Sequence, residues 1–170
     1  DLYINQRVHD AIPEGAVIIE MTSCSPKAVV EVAEYYADKN IHVVDAPVTG
    51  ALPKAIAGTL TIIGAGRDED MDKAEPILAA MAEKVFRLGA VGNGKKVKAM
   101  TNLLGAINLA AAGEFYRFAN ASGLDMEKLA EVTHVSAGGS TQFTRNFTRM
   151  VEGNYVPPAF TLALLRKDMG

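Results

Sequence analysis

The stretch KVFRLGAVGNGKKVKAMTNLLGAINLAAAG, residues 84–113, changes character in its middle. Its first five residues, 84–88, are a short apolar-rich run closed by a glycine, the pattern of a strand. Gly89, Gly92 and Gly94 then interrupt any period. From Ala99 to Gly113 no charged residue occurs. With Asn102 and Asn108 inside it, this run is too short and too polar to cross a bilayer. It reads as a buried helix running from about Gly94 to Ser122 and ended by Gly123.

Upstream, strands alternate with helices. Residues 16–20 (AVIIE) follow the turn signal Pro13-Glu14-Gly15 and read as a strand. Ser25-Pro26 opens a helix to about Lys39, with proline suited to the first helical position. Residues 41–45 (IHVVD) form a second strand, so the pair is expected to be parallel with a crossover helix. Residues 46–58 form a loop region with room for one helical turn. Residues 59–64 (TLTIIG) are a third strand, and Asp68 to Glu83 is a helix with an acidic first turn. Downstream there is no convincing strand. Helices are expected over 126–135, 141–151 and from Phe160 onward. The fold class is therefore α/β followed by all-α, with the boundary near Gly92.

Composition narrows the function classes. The chain has 170 residues, 49% apolar and 22% charged, with a net charge of −3, the balance of a globular protein. A nucleic-acid footprint needs a clustered basic face, and Lys95, Lys96 and Lys98 at a helix start are a poor candidate. No nucleic-acid or membrane partner is expected. The single cysteine, Cys24, forbids an intramolecular disulfide and fits a reducing, cytoplasmic compartment. The start, Asp1-Leu2-Tyr3-Ile4-Asn5, lacks the basic and apolar regions of a signal peptide. His9, His42 and His134 lack ligand spacing, so no metal site is expected.

No strand, G-x-G-x-x-G, helix unit occurs. Gly64-Ala65-Gly66 has two of the glycines, but position 69 is Glu and the next helix is acidic, which disfavours phosphate. Lys98 and Asn102 stand four apart and so share a helix face. Two readings of Lys98 are open from pattern alone. It is a lysine snorkelling at a helix start beside Lys95 and Lys96, or a partly desolvated lysine suited to acid–base work. Thr49 and Gly50, in the loop DAPVTG after the second strand, offer a hydroxyl and close backbone approach. A plain turn is the other reading. Ser23, after the first strand, has the same kind of position.

Five segments in order resemble the β-hydroxyacid dehydrogenase family of the 3-hydroxyisobutyrate dehydrogenase and tartronate semialdehyde (2-hydroxy-3-oxopropionate) reductase type. EMTSCSP (20–26) is similar to its nicotinamide-contact segment. DAPVTGALPKAIAGTLTIIGAG (45–66) is similar to its substrate loop, and GNGKKVKAMTN (92–102) to its catalytic motif. GGST (138–141) and Lys167-Asp168-Met169 resemble two elements of its helical domain. The resemblance implies an oxidoreductase using NAD or NADP that interconverts a small 3-hydroxy acid and its semialdehyde. Lys98 would handle the proton, and Asn102 would orient the substrate. Thr49, Gly50 and Ala51 would bind the substrate carboxylate. Ser23 and Lys167 would contact the cofactor.

It further implies that residues 1–91 are the C-terminal half of a Rossmann-type cofactor domain, and that 92–170 are part of a helical substrate and oligomerisation domain of a homo-oligomer. The chain would lack the N-terminal Rossmann half and the last helices, and so bind cofactor poorly alone. Three positions depart from the pattern: Ala51 stands for a loop glycine, Thr49 for serine and Glu20 for aspartate. The alternatives are a non-catalytic relative serving as a binding module and an imine reductase-like enzyme. Members of both usually lack the lysine.

Overall fold

The computed structural model describes residues 2–5, 8–158 and 160–169, without the side chains of Leu2, Asn5, His9, Asp10 and Met169. The expectation for His9 and the placement of Asp1 therefore lie outside the described residues, as does the side chain of Met169. Contacts divide the chain into two units, Asp1–Met100 with Lys167–Gly170, and Thr101–Arg166.

The first unit opens with a short helix α1 (Leu2–Asn5) and a 3-10 turn (Val8–Ala11) that the sequence did not signal. Strand β1 (Val17–Glu20) pairs in parallel with β2 (His42–Asp45) through helix α2 (Pro26–Ala37), the crossover unit expected. Ser25 caps α2 by accepting the Ala28 N–H at 3.1 Å. A strand's side chains alternate between faces, and each face takes its own helix. Val43 and Ile18 turn toward Val29, Val32 and Tyr36 of α2. Val44 and Ile19 turn toward Met71, Ala74 and Leu78 of the later helix α4 (Asp68–Ala79). That two-sided cover is why these strands read as apolar runs rather than alternating ones.

The loop region 46–58 contains more structure than expected. A two-residue strand β3 (Val48–Thr49) precedes helix α3 (Ala51–Ile56) and pairs antiparallel with β4 (Leu60–Gly64). A two-residue strand is too short to show a period. Strand β5 (Ala82–Arg87) continues the sheet parallel to β4, so α4 ends earlier than the sequence suggested. The two sheets meet at one bridge, with Asp45 and Ala65 exchanging backbone hydrogen bonds of 2.8 and 2.7 Å.

Helix α5 (Asn93–Ala121) is the long helix expected. The second unit continues with α6 (Met126–His134), α7 (Thr141–Val151) and most of α8 (Leu162–Met169). Asp125 and Ser140 cap α6 and α7. Its core is an aromatic cluster: Phe143 and Phe147 stack at 4.6 Å beside Phe115 and Ala112. The expectation that residues 99–113 are buried is overturned. Met100, Leu103, Leu104 and Ile107 are 66, 49, 59 and 55% exposed. Among the described residues the aromatic cluster engages α5 through Ala112, Phe115 and Tyr116. Lack of charge made the run apolar, and within the described residues of this chain most of it is not covered. No helix among the described residues is long and apolar enough to cross a membrane.

Candidate active site

Strands β1 and β2 end level, with Glu20 opposite Asp45. Both carboxylates are buried, at 5 and 0% exposure. Buried carboxylates demand countercharge and hydrogen bonds, and the start of α5 supplies both. Lys95 Nζ lies 2.7 Å from Glu20 Oε2 and 3.1 Å from Asp45 Oδ1, and it donates to the Glu20 carbonyl at 3.1 Å. The backbone N–H groups of Gly92 and Lys95 donate to Asp45 Oδ2 at 3.1 and 3.0 Å. Among the described residues Asp45 Oδ1 receives no well-aligned hydrogen bond; its countercharge is the Lys95 ammonium.

This corrects the reading of Lys95 as a surface neighbour of Lys98. Its side chain is wholly enclosed, so it contributes nothing to a basic face. The signal was present in the sequence: two apolar strands each ending on an acid imply buried carboxylates in need of a cation.

Glycines allow the approach. A Cβ on Gly94 would stand 2.5 Å from the Ile63 carbonyl and 2.9 Å from Asp45 Oδ2. Gly92 has φ +94°, a region that L side chains rarely adopt. The segment G-N-G therefore brings the first turn of α5 against the sheet.

Glu20 also accepts from the Thr22 hydroxyl at 2.6 Å and the Thr22 N–H at 3.1 Å. Burial pushes the Glu20 carboxyl up, but the Lys95 ammonium and Thr22 outweigh that and hold it below the usual carboxylate range. Cys24 Sγ lies 3.7 Å from Glu20 Oε2, and burial is the main cause that raises its thiol.

Lys98 follows Lys95 by nearly one helical turn and is half-buried. Burial lowers its pKa from the ordinary lysine value, and the Asp168 carboxylate opposes part of that shift. Asp168 belongs to the same unit through α8. Its side chain is 8% exposed and pairs with the Lys167 ammonium at 3.3 Å. Asp168 entered the sequence reading only as part of a motif, because a separation of 70 positions hides its proximity to Lys98.

Of the other expected residues, Ser23 is half-buried in the loop after β1. Thr49 is exposed at the end of β3. Gly50 has φ 138° and precedes α3, where a Cβ would meet Lys54 Cβ at 2.8 Å. Ala51 has φ 57°, the left-handed region, so the position where the family pattern carries glycine needs glycine's conformation here as well. Asn102 is half-buried, four residues after Lys98 on α5, and belongs to the second unit. Among the described residues no group of three or more His, Cys, Asp or Glu could hold a metal ion.

Residues 2–89 match the profile described as the NAD binding domain of 6-phosphogluconate dehydrogenase. Residues 92–170 match the one described as NAD-binding of NADP-dependent 3-hydroxyisobutyrate dehydrogenase. The chain belongs to the β-hydroxyacid dehydrogenase family. It is 32% identical over 163 residues to 2-(hydroxymethyl)glutarate dehydrogenase of Eubacterium barkeri, covering 96% of this chain and 54% of that protein. It is 33% identical over 161 residues to L-threonate dehydrogenase of Cupriavidus necator, covering 94% of this chain and 54% of that protein. Among solved structures, 3-hydroxyisobutyrate dehydrogenase of Mycobacterium tuberculosis with L-serine superposes with a TM-score of 0.87 at 26% identity. That match covers 96% of this chain and 58% of the other. The chain thus spans about half the length of the relatives it matches.

Proposed function

We propose that the whole protein to which this chain belongs is an NAD- or NADP-dependent oxidoreductase interconverting a small 3-hydroxy acid and its semialdehyde. The observation that carries this reading is Lys98. It is a half-buried lysine whose ammonium is destabilised by burial, a shift that the Asp168 carboxylate partly opposes. Such a group gives up a proton more readily than a surface lysine. In reduction, the Lys98 ammonium donates a proton to the carbonyl oxygen as carbon accepts the hydride. In oxidation, the neutral amine takes the hydroxyl proton back. A bound nicotinamide supplies or receives that hydride.

The residues present suit the nicotinamide end of such a cofactor. Ser23 offers a hydroxyl beyond the carboxyl end of β1, and Lys167 offers an ammonium in the same unit as Lys98. They do not suit a pyrophosphate. At the glycine pair that closes β4, a Cβ on Gly64 would meet Met71 Cε at 2.6 Å and the Phe86 carbonyl at 2.8 Å, so this glycine serves packing. The helix that follows opens on Asp68, Glu69 and Asp70.

Thr49, Gly50 and Ala51 are assigned to the substrate carboxylate, and Asn102 to orienting the substrate. The relatives named for L-threonate and 2-(hydroxymethyl)glutarate support a small hydroxy acid as the substrate class. A homo-oligomer in the cytoplasm completes the proposal. The test is Lys98→Ala in the full-length protein, assayed by nicotinamide absorbance over a panel of hydroxy acids and semialdehydes. We expect turnover to fall by about 10²- to 10⁴-fold, the usual worth of a general acid–base. A loss of less than about tenfold would remove Lys98 from that role.

A further inference from the structure

The buried cluster under the start of α5 has no part in the proton transfer just described. It joins three separate pieces of chain: the end of β1 through Glu20, the end of β2 through Asp45, and the start of α5 through Lys95 and the preceding Gly92. The loop carrying Ser23 leaves from the first piece, the loop carrying Thr49 and Gly50 from the second, and Lys98 from the third. We propose that Lys95 is a positioning residue: its ion cluster with Glu20 and Asp45 sets where Lys98 stands relative to the carboxyl ends of β1 and β2. The inference rests on the reading of Lys98 as the proton donor.

Stability alone is a poor account of the cluster. A buried ion pair gains little over well-packed apolar side chains of similar volume. This cluster also carries two carboxylates for one ammonium, and Asp45 needs two backbone N–H groups from the helix start to accept its charge. What these interactions provide, and apolar packing does not, is direction. Lys95 Nζ is fixed by two acceptors on Glu20, the carbonyl at 3.1 Å and Oε2 at 2.7 Å, and by the charge of Asp45 Oδ1 at 3.1 Å, so its N–H bonds allow few orientations. Asp45 grips the helix backbone itself. The helix is close enough that a Cβ at Gly94 would overlap the Ile63 carbonyl, so a small shift of the cluster is a shift of the whole first turn. Lys98 lies nearly one turn further along that rigid element.

The experiment uses the full-length protein. Lys95→Met alone would leave two buried carboxylates facing each other, so the informative variant is Lys95→Met with Glu20→Gln. It keeps the cluster's net charge and fills the space with an unbranched side chain. Arg67→Gln, which removes a different partner from a buried carboxylate, Asp70 on α4, serves as the comparison. We expect the double variant to keep a cooperative thermal transition while kcat falls about 10- to 100-fold, the effect of a misplacement on the order of 1 Å. KM should change by less than about threefold, because uniform binding is untouched. Lys98 should also titrate closer to an ordinary lysine, read by NMR of ¹³C-methylated lysines with Lys98→Arg as the assignment. Arg67→Gln should lower the thermal midpoint and leave kcat unchanged. The proposal is overturned if the double variant keeps wild-type kcat and an unmoved Lys98 titration, or if kcat falls equally in Arg67→Gln. If Lys98→Ala retains turnover, the functional reading fails separately, and the Lys98 titration still decides whether Lys95 positions it.

Discussion

Lys98 is one of three lysines within four positions, and their fates differ by burial alone. Lys95 is enclosed and paired, Lys96 is exposed, and Lys98 is half-buried. The proposed role of Lys98 sets the sign of the pH dependence, and its lowered pKa sets the direction in which the transition moves. With the ammonium as proton donor in reduction, kcat/KM should be flat at low pH and fall above a pKa lower than the ordinary lysine value. With the amine as proton acceptor in oxidation, the proposed role makes that profile rise through the same pKa. Paired profiles in the two directions check both statements; a reductive rate flat through the whole lysine range contradicts them. Glu20 has the opposite linkage. Its folded pKa is lowered, so its contribution to stability is complete above the ordinary carboxylate value and is lost as pH falls through the lowered one. Ala51 is a third residue-scale case. A non-glycine side chain at φ 57° costs about 1–2 kcal/mol, partly returned in the unfolded chain. Ala51→Gly should therefore raise stability by about 0.5–1 kcal/mol in urea unfolding.

Among the elements, β1, α2, β2 and β4 were legible because each has either an apolar run or a cap that signals it. Ser25-Pro26 opened α2 as the capping rule requires. The pairing β3 with β4 was not legible, because two residues carry no period and Pro47 and Gly50 on either side read as a turn. The start of α5 shows what a glycine motif does for an element. Gly94→Ala places a methyl carbon on the Ile63 carbonyl, a backbone atom that cannot swing away. We expect a loss of about 1–3 kcal/mol from overpacking, together with a fall in kcat, measured by denaturation and by turnover on the same sample. In the second unit Phe147 is 2% exposed and stacks on Phe143. Phe147→Ala should cost about 3–5 kcal/mol, and a loss below about 1 kcal/mol would show that this cluster is not the core of the unit.

At the scale of the whole molecule, the chain carries the residues assigned to proton transfer without a glycine-rich turn for phosphates. Titration of the 170-residue chain with NADH or NADPH should accordingly give a Kd weaker than about 1 mM, whereas the full-length protein should bind far more tightly. Tight binding by the 170 residues would place the phosphate contacts on residues with no glycine fingerprint.

The sequence by itself determined the order of strands and helices and the parallel β1–β2 pair; it left two readings of Lys98 open, and the family resemblance pointed to the acid–base one. These depend on local periodicity, capping and motif spacing, which neighbouring residues carry between them. Only the tertiary structure decided that Lys95 lies inside an ion cluster, that Asp168 acts on Lys98, and that the uncharged run of α5 is largely exposed. Each of these depends on residues far apart in the chain: 75 positions from Glu20 to Lys95, and 70 from Lys98 to Asp168. Burial and countercharge are properties of the space around a side chain, and the sequence fixes that space only after it has folded.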